Sequence, residues 1–355
     1  MSRLFTPLTL RDTTMPNRVW VAPMCQYSSV DGYPKDWHLV HLGSMARGGA
    51  GLVIQEATAV VPEGRITPAD AGIWEDGQAA AYQRITDFIH SQGAVSGIQL
   101  SHAGRKASTT QPWRGHDYVE PADGGWQTVG ASPVAFGDWP APKELSADEI
   151  LRLVQAFGAA TRRALAAGFK VVEIHAAHGY LLHQFLSPIT NHRTDEYGGD
   201  LDGRSRLLIQ VTDAVREQWP HDRPLFVRFS ASDWIDGGWT PEETVDVARR
   251  LVSHGVDLID VTSGGLDLRA RIEAEPGYQV PFARTVREGS GLPVSAVGLI
   301  TSPEQADQIL VDRSADAIML ARELLRNPTW PLRAAHILGD EVPWPQQYER
   351  GRWRH

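Results

Sequence analysis

Eight short apolar runs alternate along this chain with longer stretches of helical period: Val19–Ala22, Leu52–Gln55, Val95–Leu100, Val171–Ile174, Leu225–Phe229, Leu258–Thr262, Val294–Ala296 and Ala317–Leu320. Short continuous apolar runs suit strands covered on both faces, and intervening helices are the crossovers that parallel strands require. Helix start signals fall between the runs. Ser146 and Glu149 form a capping box ahead of Ile150, Leu153, Val154 and Phe157, and Thr240-Pro241 with Glu243 and Ser302-Pro303 with Gln305 repeat an N-cap followed by proline. Strand and helix repeated eight times predict a closed α/β barrel, the (β/α)8 TIM barrel. The 355 residues fit that architecture as a single domain spanning 1–355. An open doubly wound sheet would need a first turn of the form G-x-G-x-x-G, which the sequence lacks.

Two segments stand outside the repeat. Leu8–Arg11 and Arg18–Val21 flank the turn-rich Asp12–Asn17, which predicts an N-terminal hairpin plugging the barrel floor. The connection after the third run, Ser101 to Leu145, is rich in Gly, Pro and Trp and far exceeds ordinary loop length, so it is expected to form a lid or pocket wall.

Charge and cysteine content narrow the chemistry. Lys plus Arg is 34 and Asp plus Glu is 43, so the formal charge is 34 − 43 = −9. That balance disfavours nucleic acid and anionic membrane as partners. No apolar run approaches the roughly 20 residues of a membrane span. Met1 to Asn17 lacks the basic-then-apolar order of a secretion signal, and a cytoplasmic location is expected. The single cysteine, Cys25, forbids an internal disulfide or a multi-cysteine metal cluster.

In a barrel the chemistry gathers at the carboxyl ends of the strands. There the chain places Pro23-Met24-Cys25-Gln26-Tyr27, Glu56-Ala57, Gln99 leading to His102 and Lys106, His175 with His178 and Tyr180, Val297-Gly298 and Ala321-Arg322. His175 and His178 could share a metal with Glu173, although no cluster of hard carboxylates accompanies them. Alternatively they form a pair of N–H donors for one oxygen, with Tyr180 as the source of a proton. Arg228 lies inside the strand Leu225-Phe226-Val227-Arg228-Phe229 and needs an anionic partner, either Glu173 or Asp260 or an anionic cofactor. Gly298 and Arg322 follow the last two strands, where many barrels bind phosphate. With Gln99 available to a heterocycle edge, these residues point to a phosphorylated ring cofactor, and flavin mononucleotide (FMN) fits.

Ala22-Pro23-Met24-Cys25-Gln26-Tyr27, Gln99-Leu-Ser-His102-Ala-Gly-Arg-Lys106, His175-Ala-Ala-His178-Gly-Tyr180 and Asn191-His-Arg193-Thr-Asp-Glu-Tyr-Gly-Gly199 carry a specific resemblance. From Leu4 to Trp353 the chain resembles the Old Yellow Enzyme family of FMN-dependent ene-reductases. Cys25, Tyr27 and the ending Gln347-Tyr348-Glu349-Arg350-Gly351 resemble its thermophilic-like branch, which includes the xenobiotic reductases. The resemblance implies that Ala22, Pro23, Met24, Cys25, Ala57, Gln99, Arg228, Gly298, Ala321 and Arg322 line FMN. It further implies that His175 and His178 bind the substrate oxygen, that Tyr180 donates the proton, and that Tyr27 and Lys106 shape the substrate pocket. Cys25 would tune the flavin, while an inert packed thiol is its plain alternative. NADPH or NADH would supply hydride, and no metal is implied. Arg350 and Trp353 resemble residues that reach a neighbouring subunit's active site, which implies a homodimer or homotetramer. Two positions depart from the pattern: Ala321 stands where a glycine is common, and Val297 where some xenobiotic reductases carry tryptophan.

Overall fold

A computed structural model describes residues 2–353 of the chain. A hairpin of β1 (Leu8–Leu10) and β2 (Thr13–Met15) comes first, followed by β3 (Val19–Val21), α1 (Asp36–Arg47), β4 (Leu52–Ala59), α2 (Asp76–Ser91) and β5 (Val95–Ser101). The long connection then holds only short turns and the two-residue strands β6 (Val129–Gly130) and β7 (Lys143–Glu144) before α3 (Ala147–Ala166) and β8 (Val171–Ala176). Next are α4 (Leu181–Leu186), α5 (Leu201–Gln218), β9 (Leu225–Ser230), α6 (Pro241–Ser253), β10 (Leu258–Thr262) and α7 (Val280–Ser290). The described chain ends through β11 (Val294–Ala296), α8 (Pro303–Val311), β12 (Ala317–Leu320), α9 (Arg322–Arg326), α10 (Trp330–Leu338) and a short turn at Gln346–Gly351. Among the described residues no helix is long and apolar enough to cross a membrane.

Strands β3, β4, β5, β8, β9, β10, β11 and β12 close into a barrel in that order, each neighbouring pair parallel. The expected (β/α)8 barrel is present, and each apolar run overlaps one of its strands. The largest extension is in β4, which continues past Gln55 to Ala59 through a register shift between Gln55 and Ala57. The polar Gln55 and Glu56 conceal that extension in the sequence. The capping boxes at Ser146 and Thr240 form, and the Ser302 hydroxyl accepts the Gln305 N–H.

The hairpin differs from expectation. Its second strand is Thr13–Met15, whereas Arg18–Val21 belongs with the barrel, where Val19–Val21 pairs with β12. A two-residue turn at Arg11 and Asp12, with Arg11 at φ 51°, reverses the chain sooner than the turn-rich segment suggests. The plugging role is nevertheless met: Leu10 and Met15 are buried against Trp20, Leu52, Phe226 and Met319 in the barrel interior.

Alternation along the strands separates two cores. In β9, Leu225, Val227 and Phe229 join the outer core beneath the helices, while Phe226 points inward and stacks on Trp20 at 5.8 Å. Val171, Leu258 and Ala317 share that apolar inner layer. Two residues further along the same strands, the inward positions are Glu173, Arg228 and Asp260, with Gln99 and Ser295 beside them. One step higher they are His175, Ser230 and Thr262. The period of two therefore stacks a polar layer and then the chemical groups above a greasy floor.

Candidate active site

The polar layer is tied across the barrel. Gln99 donates to Glu173 Oε1 at 2.8 Å and Ser295 donates to Asp260 Oδ1 at 2.7 Å. Arg228 Nε lies 2.9 Å from Asp260 Oδ2. The ion-pair alternative for Arg228 is thus realised with Asp260 rather than Glu173. Arg228 also lines an open cleft at the strand ends together with Thr262, Gln279, Gly298, Ala321 and Arg322. Burial, reinforced by Asp260, raises the Glu173 carboxyl to about 8 against the opposing pull of Arg228. Burial also raises Asp260, with Arg228 and the Ser295 hydroxyl opposing it.

Above this layer, His175 and His178 meet edge to face with ring centroids 5.3 Å apart, and Tyr180 packs edge-on to His175 at 5.0 Å. His178 adopts φ 59°, donates its backbone N–H to Ser230 Oγ at 2.9 Å, and places Nε2 3.1 Å from Thr262 Oγ1. Its Nδ1 is left for the site. Burial, and then the charge of Arg228, hold both imidazoles well below the usual histidine range, so they are neutral near pH 7. Burial, Cys25 and Asp70 push the Tyr180 phenol up, so it keeps its proton.

Cys25, Tyr27 and Tyr180 pack around the same small apolar group, Ile66, Ala103 and Ala107. Pro23–Ser28 has no regular secondary structure and is half-buried throughout, as expected of a segment that lines a site. Burial and the neighbouring carboxylates Asp70 and Glu56 raise the Cys25 thiol, which therefore stays protonated and poorly nucleophilic. Tyr27 meets Trp113 edge-on at 5.7 Å, so the long connection supplies part of the wall. Lys106 Nζ donates to the carbonyls of His178 at 2.9 Å and Gly265 at 2.8 Å and lies 5.2 Å from the Tyr180 ring centroid. Burial and the nearby Arg105 lower its ammonium to about 7.

Glu173 does not join the two imidazoles, because it sits one layer lower with its carboxylate on Gln99. Among the described residues no three metal-ligating side chains gather. The residues do fit FMN. Gly298, at φ 126°, leaves a hollow in the cleft where an added Cβ would lie 3.0 Å from Gln279 Nε2, and Arg228 and Arg322 bring positive charge to the same cleft. Ala57 lies opposite Gln99 in register, and the Ala22 N–H donates to the Leu320 carbonyl at 3.0 Å, beside Ala321. The predicted cofactor residues thus occupy neighbouring strand ends around one mouth.

Comparison with known proteins shows the family. The profile of the NADH:flavin oxidoreductase / NADH oxidase family matches residues 3–341. The NADPH dehydrogenase of Geobacillus thermodenitrificans is 46% identical over 354 residues, covering 99% of this chain and 98% of its own. The chain belongs to this Old Yellow Enzyme family. Morphinone reductase superposes with a TM-score of 0.78 at 29% identity, covering 97% of this chain and 92% of that one. The old yellow enzyme homologue from Zymomonas mobilis gives 0.79 at 29%, covering 99% and 96%. As an Old Yellow Enzyme, the protein is a flavin-dependent oxidoreductase with FMN as cofactor and a nicotinamide as reductant.

Two predicted residues lie elsewhere in the chain. Arg350 is exposed on the C-terminal turn, and Trp353 stacks on His336 at 5.4 Å and meets Trp344 at 5.3 Å. Several residues support the site without having been assigned a role from the sequence. Glu56 Oε2 accepts the Gln26 N–H at 2.7 Å while its other oxygen faces His38 Nε2 at 3.1 Å, which anchors the Cys25–Tyr27 loop. Thr262 Oγ1 lies between His178 Nε2 and Gln279 Oε1, and His183, beside Asp233, accepts the Gly179 N–H. Asp233 follows β9 closely enough for inspection of the strand ends to have found it. Gln279 lies in a loop before α7 and carries no sequence signal.

Proposed function

We propose that this enzyme reduces the activated C=C bond of α,β-unsaturated carbonyl compounds, with nitro compounds as a second substrate class, in the cytoplasm. FMN, when bound, supplies the hydride relay from NADPH or NADH to the substrate's β-carbon. Arg228, Gln99, Gly298 and Arg322 would hold it, with Arg228 supplying positive charge beside the ring. His175 and His178 donate N–H groups to the substrate oxygen and draw electron density away from the alkene. Because both are neutral, each can offer one N–H without carrying a permanent charge. For His178 to donate from Nδ1, its Nε2 must accept, so the Thr262 hydroxyl turns its proton towards that nitrogen and away from Gln279 Oε1, which lies 3.2 Å from the hydroxyl oxygen. Gln279 Oε1 still receives the Ser263 hydroxyl at 2.7 Å. Tyr180, kept protonated by its surroundings, delivers a proton to the α-carbon. Tyr27 shapes the wall, and Lys106 steadies the His178 turn.

The observation that carries this reading is the packing of His175 against both His178 and Tyr180 beside a cation-lined cleft. Replacing His175 and His178 together by alanine tests it. Flavin should be retained while phenol binding and enone reduction are nearly abolished, and unchanged reduction refutes the assignment. A homodimer or homotetramer, with Arg350 and Trp353 reaching a neighbouring site, belongs to the same proposal and is supported by the exposure of Arg350.

A further inference from the structure

The turn that presents His178 and Tyr180 has an uncommon backbone. His178 and Gly179 follow one another in the left-handed region, at φ 59° and 73°. Gly179 also lies so close to another loop that an added Cβ would be 2.4 Å from the Gly265 carbonyl oxygen. Histidine enters that region more readily than most residues, but still at a cost that the surroundings must offset. Ser230 accepts the His178 N–H and Lys106 donates to the His178 carbonyl, as described above. The other end of that same peptide, the Gly179 N–H, donates to His183 Nδ1 at 2.9 Å.

His183 has a defined proton position for that reason. Nδ1 accepts an N–H and therefore carries no proton, so a neutral ring must keep its proton on Nε2. Nε2 faces Asp233 Oδ1 at 2.9 Å, and both side chains are fully buried. The carboxylate is itself fixed, because its other oxygen accepts the Ser187 hydroxyl at 2.6 Å and the Trp239 N–H at 2.7 Å. Burial favours protonating Asp233, but His183 and these donors outweigh it and hold the group below the usual carboxylate range.

We propose that His183 and Asp233 are positioning residues for the reaction: Asp233 selects the His183 tautomer, and His183 thereby holds the Gly179 peptide and with it the placement of His178 and Tyr180. Neither residue touches the substrate. The proposal rests on the ene-reductase reading above and assigns those two side chains a part in it.

Asp233→Asn separates this role from simple packing. Trp239 and Ser187 still need an oxygen, so the new amide nitrogen turns to the Oδ1 position and points an N–H at His183 Nε2. That nitrogen must then accept, the ring proton moves to Nδ1, and the Gly179 N–H loses its partner. His183→Asn should act in the opposite sense, because its Oδ1 can take the place of Nδ1 and accept from Gly179. His183→Leu removes the acceptor altogether.

The test uses flavin-loaded full-length enzyme, with flavin content, melting temperature, 4-hydroxybenzaldehyde affinity from flavin absorbance, and kcat and KM for 2-cyclohexenone and NADPH. For Asp233→Asn and His183→Leu, flavin should remain while 4-hydroxybenzaldehyde affinity and kcat for the enone fall about tenfold or more, the effect of one lost buried hydrogen bond. His183→Asn should stay within about threefold of wild type, and KM for NADPH should change less than about twofold throughout. Wild-type affinity and kcat in both Asp233→Asn and His183→Leu would overturn the proposal. So would equal losses in all three variants that track melting temperature alone. If Asp233→Asn does not fold, the His183→Asn and His183→Leu pair decides by the same criteria. A wild-type protein that holds no flavin or reduces no enone would instead defeat the functional reading.

Discussion

Arg228 Nε lies 2.9 Å from Asp260 Oδ2, with the two residues in direct register on adjacent strands. The pair is buried, and a second carboxyl, Glu173, shares the layer with no ion-pair partner of its own among the described residues. One cation therefore stands among two acids, and the layer is neutral only when one acid keeps its proton. Asp260→Asn removes the partner of a buried charge and should lower the stability of the flavin-free protein by about 3–5 kcal/mol. Urea unfolding measures this, and an unchanged midpoint would show that Arg228 does not need the pair.

Glu173 gives a pH dependence with a defined sign. Its folded pKa, about 8, lies above the ordinary carboxyl value of 4.5, so the folded protein holds a proton that the unfolded chain releases in that interval. The resulting stabilisation is complete below the unfolded value and is lost as pH rises through the folded one. Glu173→Gln keeps the acceptor for Gln99 and removes the titration. Stability of the flavin-free variant should fall less steeply between these limits than wild type, as read from unfolding midpoints across the range. Parallel slopes would contradict the assignment.

Thr262 is expected to set the donor face of His178. Thr262→Val removes the hydroxyl that lies 3.1 Å from Nε2. Phenol binding should weaken by about 1–3 kcal/mol, roughly tenfold or more, with flavin content unchanged. Thr262→Ser should restore it. Equal binding in the valine variant would mean that the imidazole finds its tautomer without help.

Removing the chain from Tyr348 onward is expected to lower enone reduction without releasing FMN. In this chain Tyr348 packs under the Arg47 guanidinium at 4.6 Å, well outside the cofactor cleft. Turnover and flavin absorbance of the truncated protein check the point, and full activity would remove Arg350 and Trp353 from the proposed shared site.

The sequence by itself determined the architecture and most of the positions around the cleft. Apolar runs that must be buried on both faces, separated by capped helices, leave few alternatives to a barrel, and a barrel puts the ends of its strands at one mouth. Residues such as Gln99, Arg228, His175 and Arg322 could be read there because their register follows from chain order alone. The hairpin boundary could not be read, since a two-residue turn and a longer one share the same residue types. Only the tertiary structure decided that Arg228 pairs with Asp260, directly opposite it on β10, rather than with Glu173, which lies opposite Phe226 on β8. It also decided that Thr262 lies between His178 and Gln279, and that His183 meets Asp233 from a different strand end. Those relationships depend on side-chain direction and on contacts between segments distant in sequence, which no local pattern encodes.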